Sequence, residues 1–132
     1  MPIEVTKLED EPIFLVIITA PYDAAKDSRL ANDKIAEMAK DFDGPFYRIN
    51  DITDISLSFG DVITGMAEER QKLPGSASDP RCAQSVLLGG GALVNLVAAA
   101  SKQDQYGVMP VRAFTDMNEA LKWIRQDIEG AK

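Results

Sequence analysis

Histidine is absent from this chain, and cysteine and tryptophan each occur once. Without an imidazole there is no Ser-His-Asp or Cys-His machinery, and the side chain that most often serves as general base or zinc ligand near neutral pH is missing. Cys82 has no partner for an intramolecular disulfide or a CxxC pair, which fits a reducing cytoplasm, and a single neighbouring cation, Arg81, is a weak means of holding a thiolate. The thiol is read as incidental. Positive charge is also in short supply: 14 Lys and Arg stand against 21 Asp and Glu, a net charge of -7. A surface of that sign repels phosphate backbones and anionic headgroups, so neither nucleic acid nor a membrane surface is an expected partner. No apolar run approaches the roughly 18 residues that cross a bilayer; the longest, Ala92–Ala100, is interrupted by Asn95. The amino terminus MPIEVTKLEDE lacks the basic flank and apolar stretch of a secretory signal. At 132 residues, one domain with one core is the default, and neither a metal nor a cofactor is expected.

What is present is periodicity. Across Pro45–Lys72 a pattern of period two gives way, over the polar joint Asn50–Ser58, to one near 3.6, which reads as strand, loop, helix. The same switch recurs after Val86–Leu88 and Val111–Phe114. Ile3–Leu8 and Ile13–Thr19 flank the turn Glu9-Asp10-Glu11-Pro12 as a hairpin, and the unbroken apolar run IFLVII predicts a central strand covered on both faces. Asp23 or Asp27 caps a helix bearing Ala31, Ile35, Met38 and Phe42, which Asp43-Gly44-Pro45 stops. Phe46–Ile52 is a strand. Phe59, Val62, Ile63, Met66 and Ala67 stripe the next helix, whose end, Glu68 to Lys72, is expected to be solvated. Leu73–Ala83, rich in Pro, Gly and Ser, reads as a long exposed and mobile loop. Gln84–Leu88 is a strand, Gly89–Gly91 a turn and Ala92–Lys102 a helix. Val111–Phe114 is the last strand. In the closing helix Asp116 and Glu119 have capping-box spacing, and Met117, Leu121, Ile124 and Ile128 mark the buried face.

Few of these segments can carry chemistry. Gly89, Gly90 and Gly91 join a strand to a helix, so their amides could receive an anion at the helix start; the run lacks the P-loop and dinucleotide spacings, and a tight turn accounts for it more simply. Ser56 and Ser58 stand where the second helix begins, as N-caps or, alternatively, as phosphoryl acceptors. Asp51 and Asp54 could form an all-carboxylate site, although turn formation and capping suit both. Tyr106 and Trp123 do not make a stacking platform and are assigned to packing.

The order of elements, the acidic joint Asn50-Asp51-Ile52-Thr53-Asp54, the strand-turn-helix VLLGGGALVNLVAAA and the ending Arg112 to Ile124, with its F-T-D-x-x-E-A-L-x-W-I pattern, resemble the SpoIIAA-like, or STAS-related, superfamily of bacterial anti-sigma-factor antagonists and their uncharacterised single-domain relatives. The resemblance covers nearly the whole chain. It implies an α/β fold, a βα superhelix with a mixed five-stranded sheet, an N-terminal hairpin and about four helices, most of them on one face of the sheet. The other face, bearing Phe46 or Tyr47, would then need cover, and a homodimer supplies it. The family's regulatory serine begins the second helix within an Asp-Ser-Ser/Thr-Gly type motif. Here the stretch is Asp54-Ile55-Ser56-Leu57-Ser58-Phe59-Gly60, in which Ser58 is the nearest positional equivalent.

The expected function is therefore a non-enzymatic regulatory module that works by binding a protein partner, with Asp51, Asp54, Ser56, Ser58, Gly89, Gly90 and Gly91 as its rim and Ser58 as its candidate phosphorylation site. Two rivals stand beside it. One is a small-molecule binder holding an anionic or acyl ligand between Gly89–Gly91, Asp51–Ser58 and Thr19–Asp23. The other is an enzyme with Asp51 or Asp54 as general base and a loop glycine amide holding an oxyanion.

Overall fold

The computed structural model describes residues 3–41, 43–71, 73–92, 95–96 and 112–130. Among them lie β1 (Ile3–Lys7), β2 (Ile13–Ile18), α1 (Ala24–Ala39), β3 (Phe46–Asp51), α2 (Phe59–Glu69), β4 (Cys82–Leu88), β5 (Arg112–Phe114) and α3 (Met117–Gly130). The five strands form one mixed sheet in the order β1-β2-β3-β4-β5, in which β1 runs antiparallel to β2 and every other pairing is parallel. The chain is thus an α/β protein with a five-stranded mixed sheet and a leading hairpin. The expected helix Ala92–Lys102 falls mostly outside the described residues; Gly91, Ala92, Asn95 and Leu96 are helical.

Alternation along β2 and β3 divides the core. Phe14, Val16 and Ile18 point to one face with Phe46 and pack under Ala31, Ile35 and Ala39 of α1. Ile13, Tyr47 and Ile49 point to the other, where Ala120 and Ile124 of α3 cover them. Ile13, Phe14, Val16 and Ile18 of β2 are buried and Leu15 and Ile17 on the α3 side are half-buried, because β2 is a sheet-interior strand that α1 covers along its length and α3 covers in part.

This two-sided cover corrects the expectation that Phe46 or Tyr47 lies on an open face. Phe46 is 1% exposed and Tyr47 2%. Phe46 meets Phe14 edge-on, with ring centroids 5.7 Å apart, and the Tyr47 hydroxyl donates to Asp127 of α3 at 2.9 Å. Neither ring is open to a homodimer partner; Leu15 and Ile17, opposite exposed Thr6 and Glu4 of β1, are half-buried on the α3 side.

The helix starts are set by capping. Asp23 accepts from the Lys26 amide at 2.9 Å, and its own amide donates to Asp27 at 2.7 Å, so both aspartates serve the same helix start. Ser58 and Asp61 form a full capping box, each side chain accepting the other's backbone N–H at 3.1 Å. Asp116 caps α3 by accepting from the amides of Asn118 and Glu119. On α2, Val62 and Met66 are buried as expected, whereas Phe59 and Ala67 face outward. On α3, the small Ala120 lies at the centre of the buried face with Ile124, and Leu121 is only half-buried.

Leu73–Ala83 departs most from its expectation as an exposed loop. Gly75 and Ser76 are buried. The Gly75 amide donates to Asp79 at 2.7 Å, the Ala77 amide donates to Glu69 at 2.7 Å, and the Ser78 hydroxyl donates to the Glu69 carbonyl. Gly75 has φ +83, and a Cβ there would collide with the Asn32 carbonyl oxygen of α1. The segment is pinned against two helices because its backbone polar groups find partners there.

Candidate functional site

The α1 face of the sheet is not wholly apolar. Since Phe46 points towards α1, so do Arg48 and Asn50, the next two residues of the same alternation. The stripe of α1 that carries Ala31 and Ile35 also carries Asp27, Ser28 and Asn32, all buried. A central strand and the helix above it therefore bring their polar residues together under the same roof.

Arg48, 3% exposed, is the hub. Its Nη1 donates to Asn32 Oδ1 at 2.8 Å, Glu69 Oε2 at 2.9 Å and the Gly75 carbonyl at 3.1 Å, while Nη2 donates to Asn50 Oδ1 at 2.9 Å. Asn50 passes the network to β4, donating to Ser85 Oγ at 3.0 Å and to the Val86 carbonyl at 2.9 Å. Two buried donors, Arg48 Nε and Asn32 Nδ2, have no protein partner. Glu69 corrects the expectation of a solvated helix end: it turns inward to Arg48, and Glu68 beside it pairs with Arg29 at 2.8 Å.

Over this polar floor lies a cavity of about 100 Å³, walled by Ile18, Ile52, Leu57, Val62 and Met66, with Tyr22, Asp27, Ser28, Asn50, Asp61 and Ser85 among its polar lining. Its cause is side-chain size. Where α2 faces α1 stands Gly65, at which an added Cβ would meet nothing within 4 Å. Ala31, Ser28 and Ser85 are also too short to close the gap. The Tyr22 hydroxyl lies 3.2 Å from Ser28 Oγ, and burial pushes the phenol above its ordinary range.

The rim residues lie elsewhere, at the carboxyl ends of β3 and β4. Asp51 pairs in register with Leu88, and the Ile52 amide donates to the Leu88 carbonyl at 2.9 Å, so the loop after β3 and the turn after β4 are brought to one edge. Asp54, Ser56, Ser58, Gly90 and Gly91 are exposed there, and Phe59, 43% exposed, stands beside them. Asp51 accepts from the amide and the hydroxyl of Thr53 at 3.0 and 2.7 Å, the local bonds of a turn-forming aspartate. The Gly89 amide donates to the Phe114 carbonyl at 3.0 Å, so it is engaged in the sheet and does not face an oxyanion. Thr19–Asp23 joins the cavity through Tyr22, and Asp51–Ser58 joins it through Ile52 and Leu57; Gly89–Gly91 does not line it.

Cys82 begins β4 half-buried, and burial pushes its thiol up to about 12, the opposite of an activated nucleophile. Trp123 packs on Phe114, with Arg112 over its ring at 4.8 Å, which is a packing role. Tyr106 lies outside the described residues. Among the described residues no three His, Cys, Asp or Glu gather as a metal-holding group, and no helix is long and apolar enough to cross a membrane.

Arg48, Asn50, Asn32 and Glu69 were not among the residues expected from sequence, yet a signal for them existed. Arg48 and Asn50 alternate with Phe46, and Asp27, Ser28 and Asn32 share the helical stripe of Ala31 and Ile35. No family model, curated protein or solved structure matches the chain.

Proposed function

We propose that the chain is a non-enzymatic binding module of the STAS-like type, working in the bacterial cytoplasm, whose recognition edge for a protein partner is formed by the loop after β3 and the turn after β4. The observation that carries this reading is the Ile52–Leu88 backbone bond, which makes one edge of two loops far apart in sequence. An exposed phenylalanine at the start of α2 gives that edge an apolar anchor of the kind that concentrates binding energy at interfaces. Ser58, the nearest positional equivalent of the family's regulatory serine, is the N-cap of α2. A phosphoryl group there keeps the favourable placement of negative charge at a helix start but sets it beside Asp61, so modification would alter the charge of the edge with little change to the fold.

Gly90→Val is the direct test. An added Cβ at Gly90 meets nothing within 4 Å, so bulk there changes the edge without straining the core. Wild type and Gly90→Val, compared by calorimetry against a partner recovered by affinity capture, should differ by at least about tenfold in Kd, a loss of about 1.4 kcal/mol. Ser58→Asp should weaken the same complex. Equal affinities in all three proteins would overturn the reading.

A further inference from the structure

The cavity between α1 and α2 is not explained by partner binding at the rim. Polar residues border it, yet the surface left open to it is mostly carbon, with Ile18, Ile52, Leu57, Val62 and Met66 among the described residues of its wall. The polar side chains are spent on one another and on the backbone. Arg48 and Asn50 donate into the floor, Asp27 accepts from the Asp23 amide at 2.7 Å, Asp61 accepts from the Ser58 amide at 3.1 Å, and the Tyr22 hydroxyl lies 3.2 Å from Ser28 Oγ. The two donors without protein partners, Arg48 Nε and Asn32 Nδ2, are sealed within the floor, out of reach of anything in the cavity.

What such a space accepts follows from its surface and its size. Water is retained in a buried site where it makes about two to four hydrogen bonds, whereas a cavity walled by aliphatic side chains stays dry and takes up apolar molecules. An ion entering it would exchange its hydration for a carbon wall, a loss that such a wall does not offset. A cavity of about 150 Å³ accommodates benzene, so one of about 100 Å³ holds about four to five non-hydrogen atoms.

We propose that this cavity is a binding site for a small uncharged apolar molecule, a short alkyl chain or a small ring, held by contact with Ile18, Leu57, Val62 and Met66 and by no hydrogen bond. Gly65 makes room for it: the glycine borders the cavity and a Cβ there would meet nothing within 4 Å, so a longer side chain at this position would take the same space. Leu57 precedes the Ser58 cap, and Val62 and Met66 belong to α2, so an occupant rests against the start of the helix that borders the rim. Its binding is independent of any partner at the rim.

The test uses three probes of similar size, cyclopentane, butylammonium and butanoate, titrated into methyl-labelled protein. Cyclopentane should give saturable shifts at the methyl groups of Ile18, Leu57, Val62 and Met66 and none at Ile124 on the opposite face of the sheet, with butylammonium and butanoate at least about tenfold weaker. Gly65→Leu should keep the wild-type backbone spectrum and lose the cyclopentane response. The absence of a saturable shift with cyclopentane overturns the proposal. Comparable binding of either ion overturns it as well, because the acidic or hydroxyl groups of the lining would then select the ligand in place of the carbon wall. Should Gly65→Leu not fold, Ala31→Val is the second filling variant, and an undiminished cyclopentane response in a folded filling variant places the probe outside the cavity and contradicts the proposal.

Discussion

Arg48 of β3 and Glu69 at the end of α2 meet at 2.9 Å in the interior, with side chains only 4% and 15% exposed. The contact ties α2 to the centre of the sheet, and through Gly75 and Ala77 it holds the following loop as well. Removing one partner of a buried pair leaves an uncompensated charge, so Glu69→Ala should lower stability by about 3–5 kcal/mol. The Arg29–Glu68 pair one residue away has Arg29 60% exposed and screened by solvent, and Arg29→Ala should cost far less. Urea midpoints check the contrast, and equal midpoints would mean that Arg48 is solvated.

Two glycines should respond in opposite directions to the same change. Gly65 lies in α2 with open space around it, so Gly65→Ala removes the backbone entropy cost of a helical glycine and should stabilise by about 0.5–1 kcal/mol. Gly75 has φ +83 and the Asn32 carbonyl against it; Gly75→Ala should destabilise by at least about 1–3 kcal/mol. Thermal unfolding of the two variants shows the sign of each.

Ile124 is fully buried against Tyr47 and Ile49, while Lys122 is exposed on the same helix. Ile124→Ala should cost about 2–5 kcal/mol and Lys122→Ala no more than about 0.5 kcal/mol. Comparable losses would place α3 on the wrong face of the sheet.

Cys82 gives a pH dependence whose sign is fixed by its shift. Burial raises the folded thiol from 9.0 to about 12, so the folded state holds this proton more tightly than the unfolded chain does. Its contribution is complete below pH 9 and declines as pH rises from there towards 12. Tyr47, also pushed up to about 12 by burial and by Asp127, acts with the same sign above pH 10. Comparing urea midpoints of wild type and Cys82→Ala on either side of pH 9 therefore isolates the thiol: the wild type should lose more. In the folded protein the thiol should react slowly with a disulfide reagent, and rapidly once unfolded.

The parts of the fold legible in the sequence were those in which local chemistry and packing agree. Ser58 at the start of the second helix and Asp116 before the last helix each serve as the caps their positions suggest, and the run IFLVII forms a sheet-interior strand whose Leu15 and Ile17 are half-buried on the α3 side. The parts that were not legible are those in which partners come from elsewhere in the chain. Leu73–Ala83 has the composition of an exposed loop, and only the Glu69 carboxylate and the crowding of Gly75 on Asn32 turn it inward. Arg48 and Asn50 are polar residues in a buried strand, and their meaning depends on Asn32, Glu69 and Ser85, which lie 16, 21 and 35 residues from the residue each bonds. Asp51–Ser58 and Gly89–Gly91 lie at one edge because the two loops follow adjacent parallel strands. The polar floor was missed because an alternation that buries an arginine looks, residue by residue, like an edge.

The most direct measurement for the account as a whole is hydrogen exchange by mass spectrometry on the protein with and without the partner recovered by affinity capture. Binding at the proposed edge should slow exchange in residues 51–59 and 89–92, with Gly90→Val abolishing the effect and α3 unchanged. Protection confined to α3 or to β1 and β2, or the failure of capture to recover any partner that Gly90→Val does not also bind, would contradict it.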